Sequence, residues 1–260
     1  MDRAHLVLIQ RQHFPDIPLA ILERDYVLMC VLRAVFEHPV LDRSFVLKGG
    51  VALHRLYLHR RLSLDLDFTA NWPIALNELQ PVIELTELQA TVKEYRTFPD
   101  ALTIKRLRFV GPLGYPSSIK IDISFREKVI LPPVGHLLAT PYFEPFSVRV
   151  MQLAEIAAEK LRALSMRRAP RDLYDLWAMQ RELEIDVAQI MRLLPAKLTT
   201  VGLTYDRATL LHHLAEAEST WESDLGSLMA QLPDFGQVAG ELGAWLRELP
   251  PHLAGSLHGD

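Results

Sequence analysis

Residues 45–69, FVLKGGVALHRLYLHRRLSLDLDFT, restrict what the chain can fold into more than any other stretch. The short apolar run SFVLK stops at Gly49-Gly50, and VALHRLYLH then places Val51, Leu53, Leu56 and Tyr57 on one helical flank. The order predicts a strand, a glycine turn and a helix. LSLDLDFT follows with strict alternation: Leu64, Leu66 and Phe68 point to one side of a strand, and Ser63, Asp65, Asp67 and Thr69 to the other. Two carboxylates at i and i+2 on one strand face repel each other and lose hydration if that face is covered. Either they lie on a wet face or a cation lies between them.

Taken singly, an alternating acid pair is compatible with a solvated strand, and Gly-Gly with an ordinary strand-to-helix turn. Together they point to a phosphate site. Glycines let backbone amides approach an anion, and a following helix N-terminus favours phosphate. Magnesium prefers oxygen ligands and is usually held by one or two carboxylates plus substrate phosphates. Manganese is an alternative cation for the same donors. Asp122, in SSIKIDISFRE, shares the alternation and would add a third carboxylate if its strand neighbours residues 62–69. Three acids on adjacent strands suit two-metal phosphoryl or nucleotidyl transfer.

The remaining chain divides in two. Residues 19–38 read as a helix ending near Pro39, and residues 71–98 as mostly helical with Pro73 near the start. ALTIKRLRFVG and SSIKIDISFRE read as strands joined by the turn-rich GPLGYPS, with Ile119, Ile121, Ile123 and Phe125 facing a core. Pro132, Pro133, Pro141 and Pro145 mark the best linker candidate, and helical periodicity then dominates at 150–167, 171–183, 186–194, 207–230 and 234–248. The expected organisation is α+β: a mixed α/β domain over 1–146 and an all-helical domain over 147–260.

Charge and cysteine content narrow the setting. From Asp206 onward nine acids face two arginines, a formal −7, which leaves +3 on the rest of the chain. A mildly basic body is compatible with an RNA or nucleotide partner and equally with ordinary solvated faces. The single cysteine, Cys30, permits no internal disulfide, and no run approaches the length of a membrane span. The N-terminus has an early acid and too short an apolar stretch for a signal peptide, so a cytoplasmic location is expected. P-loop, dinucleotide-binding, zincin and G-x-S-x-G patterns do not occur, and His212-His213 reads as helix surface.

The segment LKGGVALHRLYLHRRLSLDLDF resembles the first motif of the nucleotidyltransferase superfamily. More narrowly it resembles the AbiEii/AbiGii-type toxins, in which R-x-S-x-D-[IL]-D follows the glycines; Arg61, Ser63, Asp65, Leu66 and Asp67 match. A second match lies in LAEIAAEKLRALSMRRAPRDLYDLWAM, at Glu159, Lys160, Arg171, Asp172, Tyr174, Asp175 and Leu176. Residue by residue, Pro170 stops one helix and a new one begins about Arg171, putting Asp172 in its first turn. Surface pairing of Arg171 with Asp172 and snorkelling of Lys160 are the plainer readings of these side chains.

The resemblance implies a nucleotidyltransferase-like mixed sheet with flanking helices and an all-helical C-terminal half. It implies that Asp65 and Asp67 hold magnesium, that Lys160 neutralises triphosphate charge, and that Asp172 positions Lys160 or the acceptor hydroxyl. Gly49, Gly50 and Ser63 would contact the nucleotide, with Ser63 also a possible acceptor in an inhibited state. Asp122 rests on the strand argument, and Asp175 could serve the site or only brace its helix. The implied function is that of a toxin, paired with an antitoxin, that transfers NMP from an NTP to RNA, foremost the tRNA 3′ acceptor end. A protein hydroxyl as acceptor, or a catalytically silent nucleotide- or partner-binding module, are the alternatives.

Overall fold

The structure is a computed structural model that describes residues 1–84, 86 and 88–252. It divides into two compact units: Met1–Gln152 with Ser227–Ala230, and Leu153–Gly226 with the residues from Gln231 onward.

The first unit is built on a seven-stranded mixed sheet. Its strands are β1 (Phe45–Lys48), β2 (Asp65–Ala70), β3 (Thr91–Phe98), β4 (Ala101–Val110), β5 (Pro116–Ser124), β6 (Val134–Leu138) and β7 (Phe146–Val150), in the order β3-β4-β5-β2-β1-β7-β6. β1 and β2 are antiparallel, whereas β2 runs parallel to β5 and β1 parallel to β7. β1 is central because Phe45, Val46 and Leu47 are apolar on both faces and fully buried. The helices are α1 (Arg3–His13), α2 (Leu19–Glu37), α3 (Leu41–Ser44), α4 (Gly49–Leu53) and α5 (Leu76–Glu84). α2 packs on β2, β5 and β7 through an almost wholly apolar surface including Leu28, Leu32 and Phe36. Each such side chain fully removed from water stabilises by roughly 1.5–3 kcal/mol. The Phe68 ring meets Phe45 edge-on at 5.0 Å and Phe36 at 6.3 Å, so the apolar face of β2 is locked to both neighbours.

The second unit is helical: α6 (Leu153–Met166), α7 (Pro170–Glu182), α8 (Val187–Thr199), α9 (Arg207–Glu216), α10 (Trp221–Leu225) and α11 (Phe235–Glu248). α6 packs against α7, α8 and α9, and α11 against α7 and α9. Tyr174, Trp177, Trp221 and Phe235 form a chain of ring contacts in its core. Part of the acidity of this region is structural. Asp186, Asp206 and Asp234 each accept backbone N–H groups at the start of α8, α9 and α11.

Four expectations from the sequence change. Residues 71–98 are not mostly helical: only α5 is, and Thr91–Phe98 forms the outer strand β3. Phe98 pairs with Ala101 across a two-residue Pro99-Asp100 turn, and because β3 is an exposed edge it shows no buried face to betray its period. The proline-rich stretch is not a linker but holds the β6–β7 hairpin, with its prolines in the flanking turns. The helix expected over 207–230 breaks into α9, a 3-10 turn at Glu218–Thr220 and α10, where Ser219 and Thr220 disfavour a helix interior and Gly226 follows. Phe125 lies beyond the end of β5 and is half-buried, while Ile119, Ile121 and Ile123 are core. Among the described residues no helix is long and apolar enough to cross a membrane.

Candidate active site

Residues from three neighbouring strands meet at the C-terminal end of β1. Lys48, the last residue of β1, pairs in register with Asp67 of β2, and Asp67 pairs in turn with Asp122 of β5. One step along, Asp65 pairs with Lys120. Asp65 and Asp67 are half-buried on the polar face of β2, whereas Leu66 and Phe68 are buried on the other, as the alternation requires. The placement puts Asp122 beside the Asp65/Asp67 face.

Gly49 turns the chain directly against this acid pair. Its φ of +69° suits glycine, and a Cβ there would lie 2.8 Å from both Cβ and Cγ of Asp67 and collide with its Oδ2. A Cβ on Gly50 would lie 2.7 Å from Ser63 Oγ and 3.2 Å from Arg61 Nη2. The two missing side chains therefore make room for Asp67 on one side and for Ser63 and Arg61 on the other. Ser63 and Arg61 are both buried, and Arg61 Nη1 donates to the Leu62 carbonyl at 2.9 Å. After Leu53 the helix widens into a π-turn, His54–Leu58, and leaves it through His59 at φ 52°. Such turns often accompany functional sites because they insert a residue without ending the helix.

The acids are compensated by lysines that the sequence reading assigned no role. Lys120 Nζ bonds Asp122 Oδ2, and Thr103 Oγ1 donates to Asp122 Oδ1 at 2.7 Å. Burial opposes the charge on Lys120, but the Asp122 hydrogen bond and the fields of Asp122, Asp65 and Asp67 outweigh it and raise its pKa. Lys48 Nζ donates to the buried Glu127 at 2.9 Å. Lys120 was legible as the residue two before Asp122 on the same strand face. Glu127 lies in irregular chain after β5 and offered no periodic signal.

The donor set tests well for magnesium in one respect and sets a limit in another. The donors are carboxylate oxygens with a glycine-lined approach, which is hard-cation chemistry. Among the described residues no three acid, histidine or cysteine side chains converge into a ready-made metal cage. The residues thus suit an ion whose shell substrate phosphates would complete, with Asp65 and Asp67, and Asp122 beside them, as the candidate protein ligands.

In the helical unit, Lys160 of α6 lies between two buried aspartates of α7. Its Nζ is 2.9 Å from Asp172 Oδ1 and 2.7 Å from Asp175 Oδ2. Arg167 Nε binds the other oxygen of Asp172 at 2.8 Å. Burial alone would raise the Asp172 pKa, but Lys160 and Arg167 together hold it below the usual carboxylate range. The chain does this locally because Pro170 occupies the first helical position after an extended Ala169, so Asp172 and Asp175 fall one turn apart on one face. Lys197 of α8 is buried, with a relative exposure of 1%, and bonds Glu155 at 2.6 Å and Glu159 at 3.0 Å. Nothing in the sequence around Lys197 announced that triad.

Comparison with known proteins gives a family and a fold. A family profile described as nucleotidyl transferase AbiEii toxin, type IV TA system, matches residues 30–242. Among solved structures, the chain is similar to the nucleotidyltransferase toxin MenT4 of Mycobacterium tuberculosis, with 23% identity, a TM-score of 0.67, and coverage of 94% of this chain and 90% of that one. It is also similar to JHP933 of Helicobacter pylori, with 18% identity, a TM-score of 0.54, and coverage of 89% and 92%. At these identities the two structures establish the shared fold. None of the curated protein sequences matches. The profile spans most of both units, and on that ground the chain belongs to the AbiEii family of nucleotidyltransferase toxins of type IV toxin–antitoxin systems.

Proposed function

We propose that the protein transfers NMP from an NTP to the 3′ end of RNA, foremost the tRNA acceptor end, in a magnesium-dependent reaction that halts translation in the cytoplasm, and that its cognate antitoxin opposes this. The observation that carries the reading is the register Lys48–Asp67–Asp122 beside a glycine turn packed on the Asp67 carboxylate. Magnesium bound at Asp65 and Asp67 would offset the charge of the triphosphate and of the departing pyrophosphate. The chain's own groups then have distinct tasks. Gly49 and Gly50 let the backbone approach the phosphates, and Ser63, buried against Gly50, supplies a hydroxyl at the same turn. Asp122, with Lys120 as its counter-ion, holds a third carboxylate next to Asp67.

In the helical unit Lys160 is a point cation held in place by two carboxylates, which suits it to phosphate charge developing during transfer. Asp172 positions that ammonium. The acceptor hydroxyl oxygen would attack the α-phosphorus, the bond to the β-phosphate would break, and the hydroxyl proton would pass to a carboxylate of the β2 face.

The test is incubation with total tRNA, magnesium and each labelled NTP in turn. Label on tRNA with one or more NTPs, lost in Asp65→Ala and Lys160→Ala, is the expected result. Label on protein instead would move the acceptor to a protein hydroxyl. No label on any polymer, with expression harmless to the cell, would remove the reading.

A further inference from the structure

A cavity of about 340 Å³ adjoins the glycine turn. Its lining is the end of α1 and the chain after it, His13 to Ile17; His54 and Arg55 at the start of the π-turn with His59 to Leu62 after it; and Leu228 to Ala230. All of these residues belong to the sheet unit. The lining carries three guanidinium groups, Arg55, Arg60 and Arg61, and three imidazoles, His13, His54 and His59. Against them stand Asp16 in the lining and Asp25, which bonds Arg55.

Two features make this more than a basic patch. Arg61 lines the cavity and also packs against Gly50, so a single buried guanidinium links the cavity to the turn that precedes the acid pair. The lining also carries apolar groups, Phe14, Ile17, Leu62 and Met229, of which Phe14 packs half-buried against the cluster holding Ile17 and Leu62. Guanidinium groups beside an aromatic ring, in a space of this size, fit a nucleotide unit: phosphodiester on the arginines, base on the ring. Arg60 and His13 are exposed, where an incoming strand would meet them first.

We propose that this cavity is a subsite for the acceptor strand, taking a nucleotide of the RNA substrate with its phosphodiester on Arg60 and Arg61 and its base against Phe14. The inference rests on the RNA reading above and adds where the strand enters, on the Arg61 side of the glycine turn.

The experiment measures binding of a fluorescein-labelled single-stranded RNA by anisotropy at several salt concentrations, and magnesium–NTP binding by calorimetry. It uses the wild type, Arg60→Glu and His13→Glu, whose melting temperatures are checked first; both positions are exposed, so folding should be retained. RNA affinity is expected to fall about tenfold or more in each variant, with the salt slope of Arg60→Glu shallower by about 1 and NTP affinity within twofold of wild type. Wild-type binding of RNA with both variants unchanged would overturn the subsite and leave the RNA reading standing. Loss of NTP affinity with RNA binding intact would assign the cavity to the triphosphate. Displacement by polyglutamate as effective as by unlabelled RNA would assign it to an acidic protein segment. A wild type that binds no RNA would overturn both the RNA reading and the subsite.

Discussion

Replacing Gly49 by alanine should separate backbone strain from damage to the site. Gly49 and Gly114 both have positive φ, +69° and +82°, so alanine at either carries the left-handed penalty of roughly 1–2 kcal/mol. They differ in surroundings. Nothing lies within 4 Å of a Cβ on Gly114, whereas a Cβ on Gly49 would sit 2.8 Å from two Asp67 carbons. Overpacking of that kind typically adds about 1–3 kcal/mol, for a total near 2–5 kcal/mol at Gly49. Because the atoms that must yield belong to the carboxylate proposed to bind the cation, a shift approaching ~1 Å should lower turnover about 100-fold, or ~2.7 kcal/mol in the barrier. Urea unfolding and NTP turnover on Gly49→Ala and Gly114→Ala supply both readouts. Equal stability losses, with activity kept in Gly49→Ala, would refute the idea that this glycine exists to accommodate Asp67.

In the helical unit, Asp172→Asn should lower stability by roughly 3 kcal/mol, since it weakens the buried carboxylate's pairing with the half-buried Lys160; thermal unfolding checks this. The same group sets an acid sensitivity. Its folded pKa lies below the ordinary aspartate value of about 3.9, so the stabilisation is present above that value and is lost as pH falls through the folded one; Asp172→Asn should flatten the stability curve in that range. Lys197→Met should cost about 3–5 kcal/mol by leaving Glu155 and Glu159 without their shared ammonium, and adding Glu155→Gln and Glu159→Gln should recover much of it. Stripping divalent ions with a chelator should abolish nucleotidyl transfer, with magnesium restoring it, while the thermal midpoint moves little because the acids already have Lys120 nearby. A large drop in midpoint on chelation would show a structural metal instead.

What the sequence made legible were the features with a period or a forced backbone. The alternation of Leu66 and Phe68 with Asp65 and Asp67 needed only the strand repeat, and Gly49-Gly50 needed only the rule that a close approach removes side chains. Pro170 likewise marked the start of α7. The placement of Asp122 depended on strand order, which no local pattern encodes; the parallel β2–β5 pairing is a long-range choice made by core packing under α2. β3 escaped because an exposed edge strand has no buried side, and the β6–β7 hairpin because four prolines in its surroundings imitate a linker. Lys197 and Arg167 matter through partners far along the chain or across a turn, and a cation's sequence context says little about which carboxylate it will meet, whereas Lys120 stands two residues from its partner Asp122 on one strand.

The central claim is that Asp65 and Asp67 hold the cation that carries the triphosphate. A crystal structure with manganese and a non-hydrolysable NTP tests it most directly. An anomalous peak ligated by both carboxylates and by phosphate oxygens, beside Gly49, is the predicted result; manganese bound elsewhere with this acid pair bare, or an NTP seated away from the glycine turn, would contradict it.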